Sequence, residues 1–267
     1  MPSKSIYSLD RLTNERAVRQ CHLQSGFINR ELPMQDLSPQ KTVLLIGASR
    51  GLGFAMVEEY LKRGWRVIAT ARQSSPEKLL QLAKTSHGAL EVETVDITLA
   101  EQVAALRGRL EVRRLDVLFV NAGVKNDDRE TIADVSTEEF VRVMVTNSLS
   151  PMRVIEAFQD LVQPTGTIGV MSSGQGSLTN NDNGNYEVYR SSKAALNMFM
   201  RSFAARHRSD ARTLLLMAPG WVRTDMGGPQ ARLSIEESIP NLLSTIEAYE
   251  GRSGLHYLDY LGRVVPW

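Results

Sequence analysis

Tyr189 and Lys193, in the run Tyr189-Arg190-Ser191-Ser192-Lys193, stand one helical turn apart, so an ammonium can sit beside a phenol. A neighbouring cation favours the phenolate and would make the tyrosine a proton donor and acceptor near neutral pH. A phenol titrates near 10 in water, and lowering it by about two to three units takes about 3–4 kcal/mol of differential stabilisation. One close cation in a pocket shielded from water is an effect of that size. A Tyr and a Lys four apart are more often plain surface neighbours, and a second motif shifts the balance. Gly47-Ala48-Ser49-Arg50-Gly51-Leu52-Gly53 follows an apolar strand, and its glycines permit a tight turn into a helix. Such a turn lets backbone approach a pyrophosphate at the helix N-terminus. The spacing is neither Gly-x-Gly-x-x-Gly nor a P-loop, because no Gly-Lys-Ser/Thr follows. A phenolic acid and a dinucleotide cradle belong to one chemistry, hydride transfer.

Charge distinguishes the two dinucleotides. NAD sites place a carboxylate near the end of the second strand for the ribose 2′-OH, whereas NADP sites use arginine for the 2′-phosphate. Residues 66–76 contain no Asp or Glu, Arg72 ends the strand and Arg50 lies within the glycine turn. NADP(H) is preferred on this ground, and NAD(H) stays open.

From residue 41 short apolar runs alternate with longer amphipathic segments, the pattern of a parallel sheet flanked by helices. The spacing predicts strands at 42–46, 66–71, 90–95, 116–120, 167–171, 213–217 and 255–258. It predicts helices at 53–63, 76–85, 100–110, 137–161, 187–207 and 234–248. The expected fold is therefore α/β, a Rossmann-like, doubly wound, seven-stranded parallel sheet with helices on both faces, in one domain. Ligands of such sheets bind at the carboxyl ends of the strands, where strand order switches.

The chain has 267 residues, with 31 basic and 30 acidic side chains and no long block of one sign. Neither nucleic acid nor an anionic membrane is suggested as a partner, and a small molecule is expected. Cys21 is the only cysteine, which excludes an internal disulfide and a cysteine-built metal site, and no metal site is expected. There is no apolar run near the length of a membrane span and no secretory leader pattern, so a cytoplasmic protein is expected. Residues 1–40 stand apart from the domain at 41–267. Three readings compete for them: an upstream extension ending before Met34 with no catalytic role, an arm packed on the domain or on another subunit, and a transit peptide.

With these motifs in view, residues 41–267 resemble the short-chain dehydrogenase/reductase family. Asn121-Ala122-Gly123 looks like its Asn-Ala-Gly signature, and Asp96, followed by Ile97, matches its adenine-contacting aspartate. Pro219-Gly220-Trp221-Val222-Arg223-Thr224 is similar to the segment that carries nicotinamide contacts. The run 221–229 and the Pro266-Trp267 ending resemble the C-factor and Sniffer-like carbonyl reductase branch.

The resemblance implies a catalytic set of Asn147, Ser173, Tyr189 and Lys193, with Ser173 favoured over Ser172 and Tyr186 as a decoy for Tyr189. It implies cofactor contacts from Gly47, Ser49, Arg50, Gly51, Leu52, Gly53, Arg72, Asp96, Ile97, Asn121, Ala122, Gly123, Tyr189, Lys193, Pro219, Gly220, Val222 and Thr224. The implied reaction interconverts a carbonyl and an alcohol. Tyr189 moves the proton, Ser173 hydrogen-bonds the reacting oxygen, Lys193 lowers the phenol pKa and Asn147 holds a relay water. The alternative is a nucleotide-binding sensor or signalling protein on the same fold. A homo-oligomer built on the two long helices would draw on Val141, Val145, Phe199 and Phe203, and burial within one subunit accounts for the same residues equally well. Two departures stand out: Ile46 occupies a place where the family usually has Thr, and the loop at 174–185 is longer than common.

Overall fold

Val43, Leu44, Leu45 and Ile46 are buried on both faces of the strand they form, β1 (Thr42–Ile46), and such a run suits the centre of a parallel sheet. A computed structural model describes residues 40–72 and 77–267. The readings of residues 1–39, Cys21 and Met34 among them, and the predicted helix start at Pro76 lie outside the described residues. After β1 come α1 (Gly51–Lys62), β2 (Arg66–Ala71), α2 (Glu77–Thr85), β3 (Leu90–Thr94), α3 (Ala100–Arg109) and β4 (Leu115–Val120). The second half continues through α4 (Thr137–Met144), α5 (Ser150–Phe158), β5 (Val162–Met171), α6 (Glu187–Arg206), β6 (Thr213–Ala218), α7 (Ile235–Ala248) and β7 (Gly254–Asp259). All strand pairs are parallel, in the order β3-β2-β1-β4-β5-β6-β7. The fold is the expected seven-stranded, doubly wound sheet, and its order reverses between β1 and β4.

Two cores fill the layers. On one face Val103, Leu106, Phe158, Leu196 and Phe203 cover the sheet, and on the other Met56, Tyr60, Leu79, Leu242 and Ile246 do so. Ser136 and Ser234 cap α4 and α7 by accepting from the N–H groups of Glu139 and Glu237, and Glu237 completes a capping box.

The predicted helix at 137–161 is not one α-helix. A π-helical turn, Val145–Leu149, interrupts it, and a 3₁₀ turn, Gln159–Leu161, ends it. The wider turn inserts one residue and re-aims the faces on either side, an irregularity common at functional sites. Asn147 sits in its middle.

For Phe203 the structure decides between an oligomer seam and burial within one subunit. Phe203 is 0% exposed and packs inside its own subunit, whereas Val141 and Phe199 are 49% and 45% exposed. A 3.6-residue period places Phe199 and Phe203 near one another on a helix, yet α6 turns just enough to divide them between solvent and core. Replacing Phe203 with Ala should lower the unfolding free energy by about 3–5 kcal/mol, read from a urea transition. A loss below about 1 kcal/mol would contradict the placement of this ring in the core.

Candidate active site

The glycine turn leaves β1 at the point where strand order reverses. Gly47 has φ of +87°, and a methyl group there would come within 2.8 Å of Ala122. A methyl on Gly53 would lie 2.1 Å from the Gly47 carbonyl oxygen and 2.6 Å from Asn121 Nδ2. Neither position can carry a side chain without prising β1, α1 and β4 apart. In the space so kept, Asn121 Nδ2 donates to the Gly47 carbonyl at 2.7 Å, and the Asn121 and Ala122 N–H groups donate to Ile46. The Asn-Ala-Gly segment thus braces the turn. The Gly47 N–H donates to Thr70 Oγ1 at 3.0 Å, so a hydroxyl from β2 serves the turn in which Ile46 has none to offer.

Helix α1 starts at Gly51 with Arg50 as an N-cap that makes no side-chain capping bond, and no acid occupies its first turn. Its first N–H groups and positive dipole end face the cleft, an arrangement suited to a phosphate group. Arg50 and Arg72 both line this end, and Arg50 also pairs with Asp225 at 3.3 Å across the mouth. That pair is largely solvated and contributes little by itself. Asp96 Oδ1 accepts from the N–H and hydroxyl of Thr98, which fixes the carboxylate on the wall beside Ile97.

A cavity of about 1040 Å³ runs from there along the strand ends. Its wall includes Gly47, Ser49, Arg50, Gly51, Leu52, Arg72, Asp96, Ile97, Asn121, Ala122, Gly123, Ser173, Tyr189, Lys193, Pro219, Gly220, Val222 and Thr224. Of the residues implied by the sequence, Gly53 and Asn147 are not on that wall. Gly53 acts beneath the turn, as described above. Asn147 is fully buried: its Oδ1 accepts from the Val124 N–H at 2.8 Å, and its Nδ2 donates to the Val124 carbonyl at 2.7 Å and to Ser192 Oγ at 2.9 Å. Its amide is occupied in holding the segment after Gly123 against α6, so the side chain does not itself offer a water site.

Ser173 and Ser172 separate cleanly. Ser172 is buried and its hydroxyl donates to Asn197 Oδ1 at 2.6 Å, whereas Ser173 lines the cavity together with Tyr189 and its hydroxyl accepts from the Gln175 N–H at 3.1 Å. Lys193 is 3% exposed and its Nζ donates to the Met171 carbonyl at 2.9 Å. A methyl on Gly123 would lie 3.4 Å from Asn147 Oδ1 and 3.5 Å from Lys193 Nζ, which shows how closely the three elements converge.

The electrostatics correct one expectation. Burial pushes the Tyr189 phenol up to about 12, outweighing the lowering effect of the Ser173 hydrogen bond, with Tyr257 adding to the rise. Burial also pulls Lys193 down to about 8. In the protein alone the ammonium lies 5.8 Å from the centre of the Tyr189 ring and is turned toward Met171, and desolvation prevails over its attraction.

The described residues contain no group of three His, Cys, Asp or Glu placed to hold a metal, and no described helix is long and apolar enough to cross a membrane. Sequence reasoning missed Thr70, and it used Trp267 only as a branch marker although the tail lines the cavity through Val264, Val265 and Pro266.

The family model described as short chain dehydrogenase matches residues 41–232. The chain belongs to the short-chain dehydrogenase family. Within it, a short-chain dehydrogenase/reductase from Burkholderia multivorans, solved with bound NADP, is 55% identical with a TM-score of 0.83, over 86% of this chain and 100% of that one. Carbonyl reductase Sniffer of D. melanogaster is 28% identical with a TM-score of 0.75, over 86% and 100% of the two chains. C-signal of Myxococcus xanthus is 36% identical over 155 residues, 57% of this chain and 93% of that protein. These relatives bear out the branch suggested by the tail and by residues 221–229.

The Lys193 shift has a measurable consequence in this dehydrogenase. Between about pH 8 and 10.5 the unfolded chain holds the lysine proton and the folded chain does not, so stability rises with pH across that window. Relative to Lys193→Met, the wild-type protein should gain about 2–3 kcal/mol from pH 7 to pH 10 in denaturant titrations. A flat difference would mean that the ammonium is well solvated.

Proposed function

We propose that this dehydrogenase is an NADP-dependent oxidoreductase that interconverts a carbonyl and an alcohol, with Tyr189 as the acid and base. The observation that carries the reading is the convergence of Ser173, Tyr189 and Lys193 on one wall of the cavity whose other end is the glycine turn. The uncapped start of α1 and the space kept by Gly47 and Gly53 fit a dinucleotide pyrophosphate, and the arginine pair fits a 2′-phosphate. NADP, as bound by the Burkholderia relative, is the cofactor these features favour.

In this scheme Gly47, Ser49, Gly51 and Leu52 hold the phosphates, and Arg50 and Arg72 hold the adenosine end with Asp96 and Ile97. Asn121, Ala122 and Gly123 support the middle, and Pro219, Gly220, Val222 and Thr224 support the nicotinamide end. When bound, the cofactor supplies or accepts the hydride. The protein supplies the proton. With burial holding its pKa up, Tyr189 keeps its proton at neutral pH and can give it to a carbonyl oxygen as hydride arrives, and reduction is favoured where the cofactor is mostly in its reduced form. Ser173 donates a second hydrogen bond to that oxygen as charge develops on it. Lys193, with its proton only loosely held near pH 8, can return one to the phenolate. Asn147 acts as a positioning residue through its bonds to Val124 and Ser192. A homo-oligomer built on α4 and α6 would cover Val141 and Phe199 and leave Phe203 untouched.

The direct test is NADPH oxidation against a panel of aldehydes, ketones and quinones, with Tyr189→Phe alongside wild type. Turnover should depend on Tyr189 by about 10²–10⁴-fold. If a biological activity of the chain survives Tyr189→Phe after turnover is lost, the sensor reading gains and the enzyme reading fails. Separately, Arg72→Asp should weaken NADPH binding by at least about tenfold, the scale of one charged hydrogen bond, and favour NADH. Unchanged discrimination would remove Arg72 from the 2′-phosphate site.

A further inference from the structure

The chain after β7 turns back on itself. The Asp259 N–H donates to the Arg263 carbonyl, Leu258 bridges Val264 in antiparallel sense, and the Val265 N–H donates to the Tyr257 carbonyl. This reversal carries Val264, Val265 and Pro266 onto the cavity wall and brings Trp267 to the outside of the long loop at 174–185. There the Trp267 carbonyl accepts twice from Thr179, from its N–H at 3.1 Å and its hydroxyl at 2.6 Å. The indole is itself fixed on two sides, by the Tyr257 ring at 5.4 Å between centroids and by the Arg201 guanidinium at 4.5 Å.

Tyr257 reaches the other end of the same loop. It is 2% exposed, and its hydroxyl donates to the Ser173 main-chain carbonyl, which also accepts from the Gly176 N–H. Beside it, Ser172 donates to Asn197, and Asn197 donates to the Gly176 carbonyl at 3.2 Å. The loop is therefore gripped at its root by Tyr257 and six residues further on by Trp267, and the two rings touch. Between those grips Gln175 faces the cavity, and Asn180, Asn183 and Asn185 face it just beyond the second.

We propose that Tyr257 and Trp267 are positioning residues that set the place of Ser173 and the shape of the substrate end of the cavity, so that β7 and the segment after it determine which carbonyl compounds fit. The catalytic half of this inference rests on Ser173 acting on the substrate oxygen. The glycine-turn end of the cavity touches neither Tyr257 nor Trp267, so NADPH affinity should be unaffected by changes in them.

Full-length chains carrying Tyr257→Phe, Trp267→Ala, Trp267→Phe or Thr179→Val provide the test, with two readouts. In hydrogen exchange, the amides of Gly176 and Thr179 should exchange faster in Tyr257→Phe and Trp267→Ala, with the β1 amides as protected as in wild type. In kinetics on the best substrate of the panel, Tyr257→Phe should lower kcat by about 10- to 100-fold, the cost of a misplaced reacting group, with NADPH affinity unchanged. Trp267→Ala should raise KM and alter the ranking of bulky against small substrates; Trp267→Phe should restore most of both, and Thr179→Val should fall between. Loop exchange unchanged in folded variants would overturn the strap, and so would a parallel loss of NADPH affinity, which marks general loosening. If Ser173→Ala turns over as wild type does, the role of Ser173 fails instead, while the exchange data still decide whether the strap exists.

Discussion

The burial of one ammonium constrains this site more than any other contact. Lys193 is almost wholly withdrawn from water, and its bond to the Met171 carbonyl at the end of β5 offsets part of the desolvation. That bond ties α6 to the sheet at the strand end where Ser173 emerges, and so sets the distance between the helix that carries Tyr189 and the loop that carries Ser173. The same exclusion of water lifts the phenol and lowers the lysine, driving apart two groups that titrate close together in water. At neutral pH such a site keeps the phenol protonated while the lysine behind it holds its own proton loosely.

The rest of the fold separates two tasks along one cavity. At one end the demands are on backbone: Gly47 and Gly53 let β1, α1 and β4 approach, and Asn121 stitches the approach together with a single amide. At the other end the demands are on side chains supplied by β5, α6 and the segments after β6 and β7. The π-helical turn at Val145–Leu149 links the two, because it seats Asn147 between Val124, which follows the Asn-Ala-Gly brace, and Ser192. The Ser192 hydroxyl donates in turn to the Tyr189 carbonyl. One buried amide thereby registers the segment after the Asn-Ala-Gly brace against α6 without facing the cavity.

Much of this was legible in the order of residues and some of it was not, for physical reasons. Strands such as Thr42–Ile46 and Arg66–Ala71 announce themselves because burial on both faces demands unbroken apolar runs. The glycine turn and the Tyr–Lys pair are local, so their spacing carries their geometry. The π-helical turn left no mark, since apolar residues continue through it at nearly helical spacing and only the hydrogen-bond ladder changes. The Thr70 hydroxyl that serves Gly47 arrives from a neighbouring strand, and the Tyr257 hydroxyl that holds Ser173 comes from 84 residues away. Contacts that depend on strand order rather than on sequence proximity cannot be read from spacing. The direction of the Tyr189 shift was misjudged for a related reason: a nearby cation can be read from a motif, but the depth of the pocket that opposes it is a property of the assembled layers.

The division between local and distant contributions also bears on how such a fold can change its substrate. The turn from β1 to α1 tolerates almost nothing, because a methyl on Gly53 would overlap the Gly47 carbonyl that Asn121 must reach. The loop at 174–185 is held otherwise, by a ring stack, two bonds to one carbonyl and a phenol at its root. Tyr257 belongs to β7 and to one of the cores, but the ring contact of Trp267 and its bonds to Thr179 can be rearranged with the sheet and both cores intact, since Trp267, Thr179 and Arg201 lie outside them. Variation in the segment after β7 can therefore reshape the mouth of the cavity while the dinucleotide end and the Lys193 tether stay as they are, which is the order of freedom expected of a scaffold that keeps one chemistry and exchanges its substrates.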